Sequence, residues 1–388
     1  MTEELNIRLA RLCNMMKQEK IDACLISTNV NLLYTTGRIV LGYYYIDLSG
    51  NRLLFVKRPS SQVGEGIFQI RKPEQIGEIL AEKGISAPSI LLLEGEELPQ
   101  SEWVRLVSLF PHSSIFNGSN FLRKVRAVKT TYEQVLLKES AKRHSEAYSE
   151  IPSLYHSGMT DRTLSIEIER TMRLHGNLGL FRIYGASMEI YFGSVLAGKN
   201  ASEPSPFDFA LGGAGPDPSL PIGANGTLLE EGMAVMVDMC GNFTGYLSDQ
   251  TRTFSIGRLP EKAYEAHNVA IEIRDTLAAM CKPGVTGDAL YERSLAIAKQ
   301  HGLTDYFMGD AQKAKFVGHG VGLVINELPV LTSRSYDPLE EGMVLALEPK
   351  FVLPDVGAVG VEDTYIVTAH GVERITTAED SIIDLTAR

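Results

Sequence analysis

Residues 230–249 and 340–362 read as two versions of one segment, and each carries carboxylates at the same two places. Both open on Glu-Glu-Gly-Met, at Glu230 and at Glu340, and the apolar run that follows ends on Asp238 in one and on Glu348 in the other. After a turn-forming stretch, a second carboxylate sits two residues before a threonine: Asp249 before Thr251, Glu362 before Thr364. Such a duplication predicts two strand-turn-strand units related by an approximate two-fold, with their acidic strand ends converging on one axis.

Like charges brought that close repel strongly, and cations are what normally relieve the repulsion. His319, in Gly318-His319-Gly320-Val321-Gly322, lies between the second carboxylate of the first copy and the first of the second. Glycines there permit tight turns around an inward-pointing ring. Four carboxylates and an imidazole suit two divalent ions, and an imidazole among oxygen donors suits Mn, Fe, Co or Zn rather than Ca. Metals paired about 3.5–4 Å apart generate hydroxide at neutral pH and polarise a carbonyl or phosphoryl oxygen, which is hydrolytic chemistry. Taken singly, an Asp in a turn is usually a cap and a His between glycines is usually structural. Acidic residues at equivalent ends of apolar strands in both copies are harder to explain by structure alone, because burying charge without a partner is costly.

At 388 residues the chain is long for one core, which predicts two domains. From Leu5 to Phe121 helical and strand patterns alternate: Leu5, Leu9, Leu12 and Met16 fall at helical spacing, whereas Ala23–Ile26, Arg52–Val56 and Ser89–Leu93 read as buried strands. This is a compact α/β domain, placed at 1–125. The basic stretch Arg123 to Lys129 leads into a long helix from Thr130 to His156 interrupted by Pro152, and helix resumes after Thr160 as N-cap. Further helices are expected at Glu261–Lys282 and Gly287–His301, with strands and turns filling Val195–Ile256 and Phe316–Thr368. The second domain, 126–388, is therefore α+β, with Met233–Val237 expected to turn at Gly241-Asn242 into a hairpin.

No apolar run is long enough to span a bilayer, and the first residues are acidic where a secretory leader would be basic. The net charge of -11 disfavours nucleic acid or an anionic membrane as partner. Four scattered cysteines read as reduced thiols, as in a cytoplasmic protein.

These residues resemble the creatinase/methionine aminopeptidase superfamily, peptidase family M24, and within it the Xaa-Pro branch of prolidase and aminopeptidase P. The resemblance rests on Arg126-Ala127-Val128-Lys129, Ser248-Asp249-Gln250-Thr251-Arg252-Thr253, Gly318-His319-Gly320, Leu347-Glu348-Pro349 and Glu362-Asp363-Thr364, and it covers essentially the whole chain. It implies a creatinase-type N-terminal domain followed by a pita-bread domain with a pseudo-two-fold repeat, and a homodimer. It also implies that Asp238 chelates one metal, Asp249 and Glu362 bridge, and His319 and Glu348 hold the second, with Glu348 shuttling a proton. Thr251 and Thr364 would hydrogen-bond to these ligands.

The chain departs from the Xaa-Pro pattern at three places. Ile222 stands in Leu220-Pro221-Ile222-Gly223 where a histidine is expected, Asn326 replaces another histidine after the His319 box, and Gly360 replaces an arginine before Glu362. Asn326 could act as a neutral donor to a substrate carbonyl, and Arg182, Tyr184, Tyr191 and Asp208 lie in the segment that would face the substrate. The expected activity is a dinuclear metal-dependent Xaa-Pro dipeptidase or aminopeptidase P-like peptidase acting on small peptides. Alternatives are a creatinase-like or cyclic-amidine-type hydrolase or lyase of a small non-peptide molecule, or a non-catalytic binding protein. Tyr43-Tyr44-Tyr45 is read as an aromatic strand rather than an arm for a partner subunit.

Overall fold

The computed structural model describes residues 2–185, 188 and 192–387, and its chain divides into two units, Met1–Arg126 and Ala127–Arg388. The first unit is built on β1 (Ala23–Ile26), β2 (Leu41–Asp47), β3 (Arg52–Arg58), β4 (Ile67–Gln69), β5 (Ile90–Leu93) and β6 (Ser114–Asn117). They form one mixed sheet in the order β4-β3-β2-β1-β5-β6. Helices α1 (Thr2–Gln18), α2 (Asn29–Thr36), α3 (Gln75–Glu82), α4 (Gln100–Ser108) and α5 (Ser119–Ala127) complete it. Burial of Leu25, Phe55, Leu91 and Leu93 gives it a core of its own, and Tyr43, Tyr44 and Tyr45 are buried in β2, an aromatic strand as expected. The start of α2 is held by one buried carboxylate: Glu94 accepts from the Thr28 N–H at 2.8 Å, the Thr28 hydroxyl at 2.6 Å and the Ser27 N–H at 2.5 Å. Its burial is tolerable because nearly every lone pair is used.

The second unit opens on α6 (Thr131–Leu154), whose N-terminus carries a complete capping box: the Glu133 N–H donates to Thr130 Oγ1 and the Thr130 N–H to Glu133 Oε2. Pro152 falls in the last turn. Next come α7 (Asp161–Leu174), capped by Thr160, and β7 (Gly193–Ala197), β8 (Ala234–Asn242) and β9 (Leu247–Ser255). Then follow α8 (Glu261–Met280), α9 (Gly287–Gln300), β10 (Gly318–Gly320), β11 (Glu327–Val330), β12 (Val344–Leu347), β13 (Lys350–Leu353) and β14 (Gly357–Gly360). β15 (Asp363–Val367), β16 (Val372–Arg374) and β17 (Ile383–Asp384) end the chain.

Two sheets and a hairpin result, with strand orders β17-β9-β8-β7 and β11-β10-β12-β15-β16, and β13 paired to β14. Each repeat supplies the centre of one sheet: β8 and β9 of the first copy, β12 and β15 of the second.

Two expectations are corrected here. The β8–β9 strands run through Gly241-Asn242 and turn later, at 243–246, because Gly245 supplies the positive φ of 92° that the turn requires. Strands also do not fill 195–256; residues 203–233, rich in proline and glycine, form an irregular loop between β7 and β8.

Candidate metal centre and cleft

Side chains alternate across a strand, so residues two apart share a face. Asp238 and Cys240 of β8 therefore share a face with Asp249 and Thr251 of β9, where the register sets Asp238 opposite Thr251 and Cys240 opposite Asp249. Glu348 follows β12 and Glu362 precedes β15, and the N–H groups of Glu362 and Thr251 each donate to the other's carbonyl, at 3.1 and 3.4 Å. That bridge joins the two repeats. The threonines then cross it: Thr251 Oγ1 donates to Glu362 Oε2 at 2.6 Å, while Thr364 Oγ1 donates to the Asp249 carbonyl at 2.8 Å and accepts from the Asp249 N–H at 3.0 Å. Thr251 thus orients a carboxylate, whereas Thr364 orients a backbone.

His319 comes from β10, where it stands opposite Ala346 of β12. Close pairing is possible because Gly318 has no side chain; a Cβ there would lie 2.2 Å from the Ala346 carbonyl oxygen. His319 Nδ1 donates to the Gly320 carbonyl at 3.1 Å, leaving Nε2 with its lone pair directed at Asp249 Oδ2, 3.6 Å away, and Glu348 Oε1, 3.4 Å away. A buried ion pair, Lys129 Nζ to Glu327 Oε2 at 3.0 Å, steadies the loop after this box, with Glu327 Oε1 accepting from the Leu323 N–H at 3.1 Å. Behind Glu362, Arg252 donates to the Glu362 carbonyl at 2.8 Å and to Asp363 Oδ1 at 2.7 Å, and Arg274 to Asp363 Oδ2 at 2.8 Å.

The donor atoms fall into two overlapping groups, Asp249 with His319 and Glu362, and Asp238 with Glu348 and Glu362; within each they lie no more than 4.8 Å apart. The second group already surrounds a cation. Lys350 is fully buried, and its Nζ donates to Asp238 Oδ2 at 2.9 Å, Glu348 Oε2 at 2.7 Å and Glu362 Oε2 at 3.2 Å. Burial alone would depress this ammonium's pKa, but Asp238, Glu348 and Glu362 outweigh it and hold the group well above its ordinary value. Among the described residues no ammonium or guanidinium except that of Lys350, at Glu362 Oε2, reaches the first group: Glu362 Oε1, and Glu348 Oε1 on the side that faces His319, are buried without a hydrogen-bond partner. Burial, with Asp238 and Glu348 nearby, pushes the Asp249 carboxyl well above the usual range; burial, with Asp249 and Glu348, does the same to Glu362. Buried carboxylate oxygens without a hydrogen-bond partner, facing an imidazole nitrogen, fit one divalent cation at the first group.

A cleft opens over this centre. Asp238, Asp249, His319, Glu348 and Glu362 line it together with Phe181, Ile183, Phe192, Phe209 and Phe316, and with Asp208 and Asn326. Three residues named as substrate contacts do not line it. Residues 181–184 run without helix or turn, so Phe181 and Ile183 face the cleft while Arg182 and Tyr184 face away. The Arg182 carbonyl accepts from the Ile325 N–H at 2.9 Å, the Tyr184 N–H donates to Asn326 Oδ1 at 2.8 Å, and Asn326 Nδ2 donates to the Tyr184 carbonyl at 2.8 Å. Asn326 thus fastens the wall of the cleft, using its oxygen and one N–H to do so. Ile222 is buried away from the cleft. Tyr191 lies outside the described residues.

Gly360 faces Lys350 across the β13–β14 hairpin, and a Cβ there would lie 2.8 Å from Lys350 Cα and 2.5 Å from the Pro349 carbonyl oxygen. The space where an arginine side chain was expected is closed by the strand that carries Lys350. Sequence reasoning passed over Lys350, although its position two residues after Glu348 was the signal, since that spacing returns a side chain to the same face.

The two-domain plan, the joined repeats and the acidic centre under a cleft define a pita-bread hydrolase of the metallopeptidase type. Residues 135–369 match the metallopeptidase family M24 and residues 8–128 the creatinase/prolidase N-terminal domain, and the chain belongs to family M24. It is 26% identical to a Xaa-Pro dipeptidase of Pyrococcus furiosus over 97% of this chain and 99% of that protein. An uncharacterised peptidase of Bacillus subtilis is 27% identical over 98% of this chain and all of its own length. Among solved structures, the Xaa-Pro dipeptidase from Bacillus anthracis superposes with a TM-score of 0.80 at 26% identity, covering 98% of this chain and 99% of that one. Among the described residues, no helix is long and apolar enough to cross a membrane.

Proposed function

We propose that this hydrolase cleaves short peptides at an N-terminal Xaa-Pro bond, using a divalent metal held by Asp249, His319 and Glu362, with Glu348 beside it. One observation carries this reading: bare buried carboxylate oxygens and the His319 lone pair converge beneath a cleft walled by phenylalanines. A divalent cation bound there supplies Lewis acidity toward a carbonyl and lowers the pKa of water. The oxygen-rich donor set with one imidazole suits Mn, Co, Zn or Fe.

The chain's own residues do the rest. The Gly320 carbonyl fixes the His319 tautomer so that Nε2 faces the centre, and Thr251 fixes Glu362. Glu348, with Oε1 unpartnered, takes the proton of the attacking water and returns it to the leaving proline nitrogen. Water thereby adds across the C–N bond, hydroxyl to carbon and proton to nitrogen. The aromatic wall accepts the pyrrolidine ring and excludes water, and Asp208 offers a carboxylate to the substrate's α-ammonium.

The test is turnover of Ala-Pro and Ala-Pro-Ala with Mn, Co, Zn or Fe added to metal-free protein, read as kcat/KM. Metal-dependent cleavage of either supports the reading, and the preferred one separates dipeptidase from aminopeptidase. Failure on both with every metal, together with turnover of a cyclic amide or amidine, moves the chain to small non-peptide substrates. We also infer a homodimer, to be checked by sedimentation, and a cytoplasmic setting, in keeping with the four unpaired cysteines.

A further inference from the structure

We propose that the Lys350 ammonium is the resident cation of the second half of the centre, so that the site holds a single divalent ion, at Asp249, His319 and Glu362, rather than two. This deepens the hydrolase reading and rests on it only for the presence of the first ion.

Three observations carry it. The ammonium occupies the space between Asp238, Glu348 and Glu362, at 2.9, 2.7 and 3.2 Å from their oxygens, and those residues are one of the two groups able to hold a metal. A divalent ion sits about 2.0–2.2 Å from such oxygens, so ion and ammonium exclude one another. Glu362, common to both groups, and Glu348, which also faces His319, divide their atoms between the two halves. Glu348 and Glu362 give Oε2 to Lys350 and leave Oε1 bare. Nor can Lys350 readily swing out. It is fully buried, it is carried on a strand two residues from Glu348, and Gly360 opposite lets that strand approach closely. A tethered ammonium brings one positive charge and three donors where an exchangeable ion would bring two charges and an open coordination position. The water-activating position is then confined to the His319 half, and Asp238 becomes a positioning residue that anchors Lys350.

The experiment is metal titration of the purified full-length chain with Mn²⁺ and Co²⁺, reading stoichiometry by calorimetry and elemental analysis and the Mn²⁺ environment by electron paramagnetic resonance. The wild type is expected to take about one equivalent, with the spectrum of an isolated ion, and Lys350→Gly about two, with spin coupling between neighbouring ions. Asp249→Asn should lose the ion, whereas Asp238→Asn should retain it with affinity within about tenfold. Two equivalents or a coupled spectrum in the wild type overturns the proposal, as does no binding at all. Loss of the ion in Asp238→Asn but not in Asp249→Asn does so too. A Lys350→Gly chain that fails to fold leaves the wild-type stoichiometry and the two aspartate variants to decide. Failure to cleave Xaa-Pro peptides would overturn the substrate reading and leave this count untouched.

Discussion

The two repeats place their chemistry at matching positions and then diverge at one of them. Two residues after Asp238 the first copy has Cys240; two residues after Glu348 the second has Lys350. Both are buried and both return to the face of the preceding carboxylate. Burial, with Asp249 and Asp238 nearby, pushes the Cys240 thiol far above its ordinary pKa, so it remains neutral, whereas Lys350 remains charged. The carboxylate-x-threonine spacing is the same in both repeats, but the charge is not. Duplication thus supplied a symmetric frame, and one side chain made its halves chemically unequal.

The largest expected effect comes from emptying the half without the lysine. His319→Ala should lower metal-stimulated kcat/KM by at least about 10³-fold, roughly 4 kcal/mol of transition-state stabilisation; a loss within tenfold would show that the reaction does not depend on that half. Next come the paired positions. Lys350→Met leaves two buried carboxylates, Glu348 and Glu362, and the half-buried Asp238 without their cation and should cost about 3–5 kcal/mol in the metal-free protein, whereas Cys240→Ala should cost about 1 kcal/mol. Denaturant titrations giving equal losses would mean that the asymmetry is one of packing rather than charge.

The threonines sharpen the comparison further. Thr251→Val should weaken Mn²⁺ binding about 10–100-fold, because it releases the Glu362 carboxylate. Thr364→Val, which strands the Asp249 N–H, should appear chiefly as about 1–3 kcal/mol of lost stability. The smallest effect is one of pH. Asp249 and Glu362, with folded pKa values raised, keep protons that the unfolded chain has released above about pH 4, so their contribution makes metal-free stability fall as pH rises, by up to about 1.4 kcal/mol per unit for each proton. The raised pKa of Lys350 acts elsewhere: its contribution is present below about pH 10 and lost only in alkali. Thermal scans from pH 5 to 8 should therefore show the stabilisation by Mn²⁺ growing with pH; a constant difference would place the acidic protons elsewhere.

The parts of the centre carried by local pattern were legible before any coordinates. Apolar runs ending in Asp238 and Glu348, and the carboxylate-x-threonine spacing, follow from strand periodicity, and these residues do meet. What escaped depended on pairing across the fold. Thr251 and Thr364 look alike in sequence but grip a carboxylate in one case and a backbone in the other, because the contact is set by which strand end approaches. Arg182 and Tyr184 read as contacts because their segment would face the substrate, yet alternation along that extended segment turns Phe181 and Ile183 inward instead. Lysine is so rarely buried that Lys350 invited no attention, although its spacing from Glu348 said where it must point. Ile222 and Gly360, noticed as missing groups, proved to be a buried side chain and a close strand approach.

The crossed threonine contacts span 111 and 115 residues of chain. Neither repeat is complete alone: the Glu362 carboxylate and the Asp249 backbone each depend on a hydroxyl that arrives with the other repeat. Closing loops of that length is among the slower steps open to a folding chain. Uptake of a metal ion by this protein should therefore be a late and cooperative event, marking the moment at which the two halves have met.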